Sequence, residues 1–194
     1  MKMVWWRSAG MAVLAIGIAA LCTPVGAEEC PPLFSLQDAN RFNPPHFDEY
    51  QVAVLKLGRP ASARIDEDTQ AKLYRSVLKE GATKGPNFAG QYTIVGWGCG
   101  SSCLQFAIVD ARTGEVFFPA GIHNIATAHV QGVDGEEAEY TGLRFRLDSD
   151  LLITLGAINE DERREGWSFF KWTGGKLDLI RFIPRPRQEC EPHR

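Results

Sequence analysis

The chain has 194 residues, 44% of them hydrophobic, with 21 lysines and arginines against 24 aspartates and glutamates and a formal net charge of −3. A mildly acidic balance lacks the basic footprint of a nucleic-acid binder and gives little attraction to anionic lipid, so neither is expected as a partner.

In chain order the first feature is a leader. Lys2 and Arg7 make a positive start, residues 9–22 (AGMAVLAIGIAALC) form a short apolar run, and VGA at 25–27 supplies small residues for a cleavage after Ala27. The run is shorter than the ~20 apolar residues that a membrane-spanning helix needs. Cys22 suggests a lipid anchor, but Leu21 stands where a lipid-attachment signal wants a small residue. The expected address is therefore periplasmic or secreted. Residues 28–194 then form one globular domain of 167 residues, long enough for a real core, and carry a net charge of −5 once Lys2 and Arg7 are gone.

Four cysteines follow the leader: Cys30, Cys99, Cys103 and Cys190. An even count in an exported chain implies disulfides, and four cysteines allow three connectivities. Two lie near the termini and two lie together, so the expected pairs are Cys30–Cys190 and Cys99–Cys103. Loop-closure entropy assigns about 5 kcal/mol to the long loop and about 2 kcal/mol to the short one.

Residues 28–48 are expected to be irregular, because CPP and NPPH block helix and central strand alike. YQVAVLKL at 50–57 reads as a first strand. A single amphipathic helix is predicted near 66–80, capped by Asp66 or Asp68, burying Leu73, Tyr74, Val77 and Leu78 and ending at Gly81. From Gly85 onward the pattern is strand after strand: 91–97, 104–111, 116–120, 143–147, 151–158, 167–172 and 177–183. Short turns bearing Gly or Asp join several of them. The predicted class is α+β: a predominantly antiparallel β meander with one amphipathic helix, stapled by disulfides. Phe117–Phe118 and Phe169–Phe170 each place a ring on both faces of a strand. Both sheet faces must then be covered, with the helix expected on one and the N-terminal segment on the other, or else one face carries an aromatic patch.

GWGCGSSC at 96–103 is the most distinctive stretch. A redox pair needs a cysteine activated by a helix N-terminus or a nearby cation, and this one leads into LQFAIV, a strand. Zinc could draw on Cys99 and Cys103 with His123 and His129, but a close cysteine pair in an oxidising compartment becomes a disulfide more readily. A nucleophile loop would need His123 with Asn124, or His129, and nothing in the spacing brings them to it. A stapled hairpin uses every residue. GSS becomes the loop, Cys99 and Cys103 the facing pair, Gly98 and Gly100 the unusual backbone angles, and Trp97 an apolar lid or contact beside the bridge.

The segment NFAGQYTIVGWGCGSSC, followed by IVDARTGEVF, FRLDSDLLITLGAINE and FFKWTGGKLDLI, resembles a group of uncharacterised exported bacterial proteins over residues 85–183. The resemblance implies export and the order of hairpins, and it carries no catalytic residue onto this chain. The acidic runs DGEEAEY (134–140) and NEDERREG (159–166) read as solvated loops.

No cofactor or metal is implied. The preferred expectation is a small β-rich binding or inhibitor-type module whose partner is another exported protein, met through Trp97, Gly98, Gly100, Ser101 and Ser102. The alternative is a periplasmic enzyme, either a thiol oxidoreductase at Cys99/Cys103 or a hydrolase that uses His123 or His129.

Overall fold

The computed structural model describes residues 33–66, 68–131 and 140–186. The expected leader, the Cys30–Cys190 pair and most of the first acidic run lie outside the described residues. Among the described residues no helix is long and apolar enough to cross a membrane.

The fold is one mostly antiparallel sheet of eight strands. They are β1 (Tyr92–Gly100), β2 (Cys103–Asp110), β3 (Val116–Phe117), β4 (Ile125–Ala126), β5 (Leu143–Arg144), β6 (Leu151–Ile158), β7 (Glu165–Trp172) and β8 (Leu177–Pro184). The order across the sheet is β1-β2-β4-β6-β7-β8, with β3 beside β2 and β5 beside β6. The hairpins expected at 91–111 and 167–183 form as long ladders, whereas 116–120 and 143–147 pair over only two residues each.

Side-chain alternation decides the packing. From β1 and β2, Ile94, Leu104, Phe106 and Ile108 enter one core, which Leu152 and Ile158 of β6 and Phe170 and Trp172 of β7 share. The opposite face of β1 and β2 gives Val95, Ala107 and Val109 to a second core. That of β6 and β7 gives Leu151, Ile153, Leu155, Trp167 and Phe169 to a third. The doubled aromatics divide as alternation requires. Phe117 and Phe170 face the first core, Phe118 the second and Phe169 the third.

The coverings differ from expectation. The helical segment covers the second core and residues 34–50 cover the third, so both lie on the same face of the sheet. The other face closes upon itself. Tyr92 on β1 and Trp172 on β7 stand four strand spacings apart in order, roughly 19 Å in a flat sheet. Their rings meet at 5.2 Å, and Phe117 meets Trp172 at 5.5 Å. The sheet therefore curls around the first core, and no separate element is needed to roof it.

The single helix expected over 66–80 is two short ones, α1 (Thr69–Leu73) and α2 (Arg75–Ala82). Asp68 caps the first, its Oδ1 accepting from the N–H groups of Gln70 and Ala71 at 2.6 and 2.9 Å. The break falls at Tyr74 (φ −105°, ψ 21°), whose ring lies against Trp97, 4.5 Å between centroids. It leaves Leu73 76% exposed instead of buried. Gly81 does not end the helix. It lies inside α2, where a Cβ would come within 2.5 Å of Val95 Cγ1, so its role is close approach to β1.

Residues 50–57 do not form a strand either. Gln51 bridges Ser149, while the Val52 and Leu55 N–H groups donate to Asp148 and Gly90 carbonyls, a spacing no ladder has. Val54 and Leu55 remain exposed. The expected irregularity of residues 33–48 holds apart from two 3-10 turns, Leu36–Phe42 and Phe47–Glu49.

Two predictions follow from this packing. Gly81→Ala is expected to destabilise by about 1–2 kcal/mol in urea unfolding, because overpacking outweighs a helix-propensity gain of about 1 kcal/mol. In the Gly81→Ala/Val95→Ala double variant the two costs should fall short of additivity by about 1 kcal/mol or more; strict additivity would refute the contact. The second concerns Asp150, whose carboxyl is pushed above its ordinary 3.8 by burial, with Lys171 at 3.9 Å opposing the shift. Its Oδ1 is buried and has no hydrogen-bond partner among the described residues. A raised folded-state pKa means the folded chain holds this proton more tightly than the unfolded one. Asp150 therefore opposes folding increasingly as pH climbs from near 3.8 through its raised value. Asp150→Asn should match the parent at pH 3.5 and exceed it at pH 7, read from urea midpoints. A variant weaker at pH 7 would reverse the assignment.

Candidate functional site

The β1–β2 hairpin ends in the cystine expected from its spacing: Cys99 and Cys103 are bonded, with Cα atoms 5.1 Å apart. The loop geometry differs from the expected GSS turn. Gly98 faces Leu104 and Gly100 faces Cys103, so Cys99 is the extra residue of a β-bulge and the loop is only Ser101–Ser102. Gly100 (φ +146°) adopts an angle that L side chains rarely take, and Ser102 (φ +51°) is left-handed. The tip is anchored from the far side by β4, where Ala126 pairs Cys103 and the Thr127 N–H donates to the Ser102 carbonyl at 2.7 Å.

The five sequence-expected contact residues separate into two groups. Gly98, Gly100, Ser101 and Ser102 are exposed, as is Cys99. Trp97 is half-buried. Its Nε1 donates to Gln105 Oε1 at 2.9 Å and its ring stacks on Tyr74, which in turn approaches Phe118 at 6.4 Å. Trp97 thus joins the tip to the helix pair, and Leu73 and Tyr74 become part of the surface beside it. Sequence reasoning missed these two because a continuous helix would have buried Leu73. The break depends on the Tyr74–Trp97 contact, 23 residues apart in the chain, and no local pattern signals it.

The histidines of the enzymatic alternative take other positions. His123 is exposed, and its backbone N–H donates to Asn159 Oδ1 at 2.7 Å. Asn124 Nδ2 donates to Glu160 Oε1 at 2.9 Å. His129 Nδ1 lies 2.6 Å from Glu165 Oε1, which also meets Arg185 Nη1 at 3.3 Å. A histidine oriented by a carboxylate is two-thirds of a hydrolytic triad, which further needs a nucleophile within ~3.2 Å of the ring. Among the described residues no serine, threonine or cysteine side chain hydrogen-bonds either histidine. Nor does any group of three His, Cys, Asp or Glu come together there in a metal-holding arrangement.

The second acidic run is a structured turn. Asp161 caps a 3-10 turn at Glu162–Arg164 and chelates Arg163 through both carboxylate oxygens, at 2.9 and 3.0 Å, holding its carboxyl below the ordinary range. Asp161 and Arg163 pair locally, whereas Glu165, the first residue of β7, meets His129 and Arg185.

Searches of family models, curated proteins and solved structures returned no match to this chain.

The cystine closes a loop of only a few residues, so its removal in Cys99→Ser/Cys103→Ser should cost about 2 kcal/mol of unfolding free energy. Natively prepared protein should yield no alkylatable thiol at either position. A labelled Cys99 or Cys103 in that material would overturn the pairing.

Proposed function

We propose that this chain is an exported binding or inhibitor-type module that meets another exported protein through the disulfide-closed hairpin tip. The observation that carries the reading is the combination of exposure and restraint at 98–102. A bulge, a cystine and a β4 buttress hold five exposed residues on a short loop. A pre-ordered loop loses little conformational entropy on binding, so more of its contact energy appears as affinity. Trp97, fixed by Gln105 and Tyr74, supplies an aromatic anchor of the kind that dominates interface energetics. Export follows from the leader pattern, and the resemblance to a group of exported proteins centres on this same W-G-C-G-x-x-C core.

The enzymatic alternative keeps one specific support, the His129–Glu165 pair. Hydrolysis through it would require a nucleophile supplied from elsewhere, and thiol exchange at Cys99 would proceed without a flanking cation or helix terminus in the sequence to activate it.

The test is in-cell crosslinking of the full chain in its exporting host. A crosslinked partner recovered with the parent should be lost at least tenfold in Trp97→Ala/Ser101→Arg, with the melting curve showing that the double variant is folded. Undiminished recovery with the folded double variant would remove the tip as the contact surface.

A further inference from the structure

His129 belongs to the surface of the hairpin tip. Cys103 faces Ala126, Ala126 faces Ala157 and Ala157 faces Glu165, so these residues stand in one row across β2, β4, β6 and β7. Facing residues share a side of the sheet, and Trp97 takes this same side opposite Gln105. Three strand spacings separate Cys103 from Glu165, roughly 14 Å. The chain makes a shorter link. The Thr127 N–H donates to the Ser102 carbonyl at 2.7 Å, and a turn closed by the Val130 N–H on the Thr127 carbonyl at 3.0 Å carries Ala128 and His129. Two residues of chain past Thr127, the His129 Cα lies within about 11 Å of the Ser102 oxygen. Ala128 and His129 are exposed, as Ser101 and Ser102 are. A standard interface of about 800 Å2 a side is roughly 30 Å across, so a protein seated on the tip from this side covers His129 as well.

The imidazole is held in one orientation. Its Nδ1 lies 2.6 Å from Glu165 Oε1. Glu165 is fixed in turn by Arg185, whose backbone N–H donates to the Glu165 carbonyl at 3.0 Å and whose Nη1 meets Oε1 at 3.3 Å. The Arg185 guanidinium lies over the Phe34 ring, 5.4 Å from its centroid, and that side chain is 8% exposed against 53% for His129. A carboxylate only accepts, so Nδ1 carries the proton and Nε2 of the neutral ring is an acceptor. Nε2 has no hydrogen-bond partner among the described residues. The turn does not need this bond to close, because its own backbone and the Phe34–Val130 bridge already fix it. The charges nearby offset one another: Asp161, Glu162 and Glu165 stand against Arg163, Arg164 and Arg185. An exposed acceptor, oriented beforehand and without net charge around it, suits an uncharged donor and bonds it at little entropic cost.

We propose that His129 is the polar anchor of the partner contact, its Nε2 accepting a hydrogen bond from a hydroxyl or an amide N–H of the protein that meets the tip. On the binding reading above, on which this assignment rests, Trp97 supplies the aromatic contact on one flank of the cystine and His129 the directional bond on the other. Glu165 and Arg185 act through His129 as positioning residues. The pair that favours hydrolysis in the enzymatic alternative thereby has a role that requires no nucleophile.

Nuclear magnetic resonance of the full oxidised chain, made with nitrogen-labelled histidine, reads the tautomer without a partner: Nδ1 of His129 should carry the proton and Nε2 should be bare. The partner is the protein recovered by in-cell crosslinking, purified and titrated against variants. His129→Asn keeps an amide N–H where Nδ1 donates and removes the outward acceptor, so it should weaken binding at least tenfold with an unchanged melting curve. His129→Gln brings an amide oxygen to the Nε2 position and should stay within threefold of the parent. Adding the partner to the parent should move the Nε2 resonance while Nδ1 keeps its proton. A free chain protonated at Nε2, or parental binding by His129→Asn, would overturn the His129 contact and leave the tip, provided Trp97→Ala/Ser101→Arg still loses the partner. Should His129→Asn and His129→Gln both lose it, an Nε2 resonance unmoved by the partner would overturn the contact and a shifted one would uphold it. Parental binding by His129→Asn and Trp97→Ala/Ser101→Arg alike, or no crosslinked partner at all, would remove both readings.

Discussion

Every residue of β6 is buried, and the fold is arranged around the need to cover both faces of that strand. Leu152 and Ile158 point one way and Leu151, Ile153 and Leu155 the other, so a half-exposed sheet would leave one of these rows in water. At ~25 cal/mol per Å2 of apolar surface, either row is worth several kcal/mol. Two different solutions meet at this strand. One face receives the N-terminal segment, locked by Trp167, whose Nε1 donates to the Ser35 carbonyl while its ring packs edge-on against Phe34 at 5.0 Å. The other face is covered when the sheet curls and β1 comes round to β7 through Tyr92 and Trp172.

That curl fixes where the hairpin tip stands. β2 is shared along its outer side, its C-terminal half pairing β3 and its N-terminal half pairing β4. β4 continues to β6 through Ile125–Ile158 and Ala126–Ala157. The cystine loop is thus connected to the most buried strand through only one intervening two-residue strand. Rigidity at the tip comes from this short path as well as from the covalent bridge. Stiff backbone and exposed side chains coexist there because the supporting bonds lie behind the loop and not over it.

Alternation carried much of the fold into the sequence. Phe117–Phe118 and Phe169–Phe170 called for two covered faces or an exposed aromatic patch, and two covered faces are present. The long hairpins were legible because their apolar runs and glycine-bearing turns are local signals. What was not legible depends on contacts distant in sequence. The break at Tyr74 is set by Trp97, and the burial of Gly81 by Val95. Residues 50–57 have strand composition, but their N–H groups are taken by Asp148 and by Gly90 at a spacing that composition does not encode. At the site, the cystine could be read from spacing, whereas the bulge that moves Cys99 out of register could not. C-x-x-x-C fits a three-residue loop and a bulged two-residue loop equally.

The Asn87 clasp shows how one end of the β1 edge is closed. A single asparagine side chain presents a donor and an acceptor side by side, as a backbone amide does, and so imitates one residue of a neighbouring strand. At Ile94 it does so, satisfying both groups that alternation turns outward. Thr93, one residue earlier, donates its hydroxyl to the Gly85 carbonyl and ties the same loop to the strand. These bonds stop where the side chains of β1 become small, at Gly96. There the contact changes kind: a Cβ at Gly96 would come within 3.0 Å of the Tyr140 ring, so the missing side chain admits an aromatic ring against the strand. Exposure begins only beyond it, at Gly98, where the bulge and the cystine take over the work of holding the backbone.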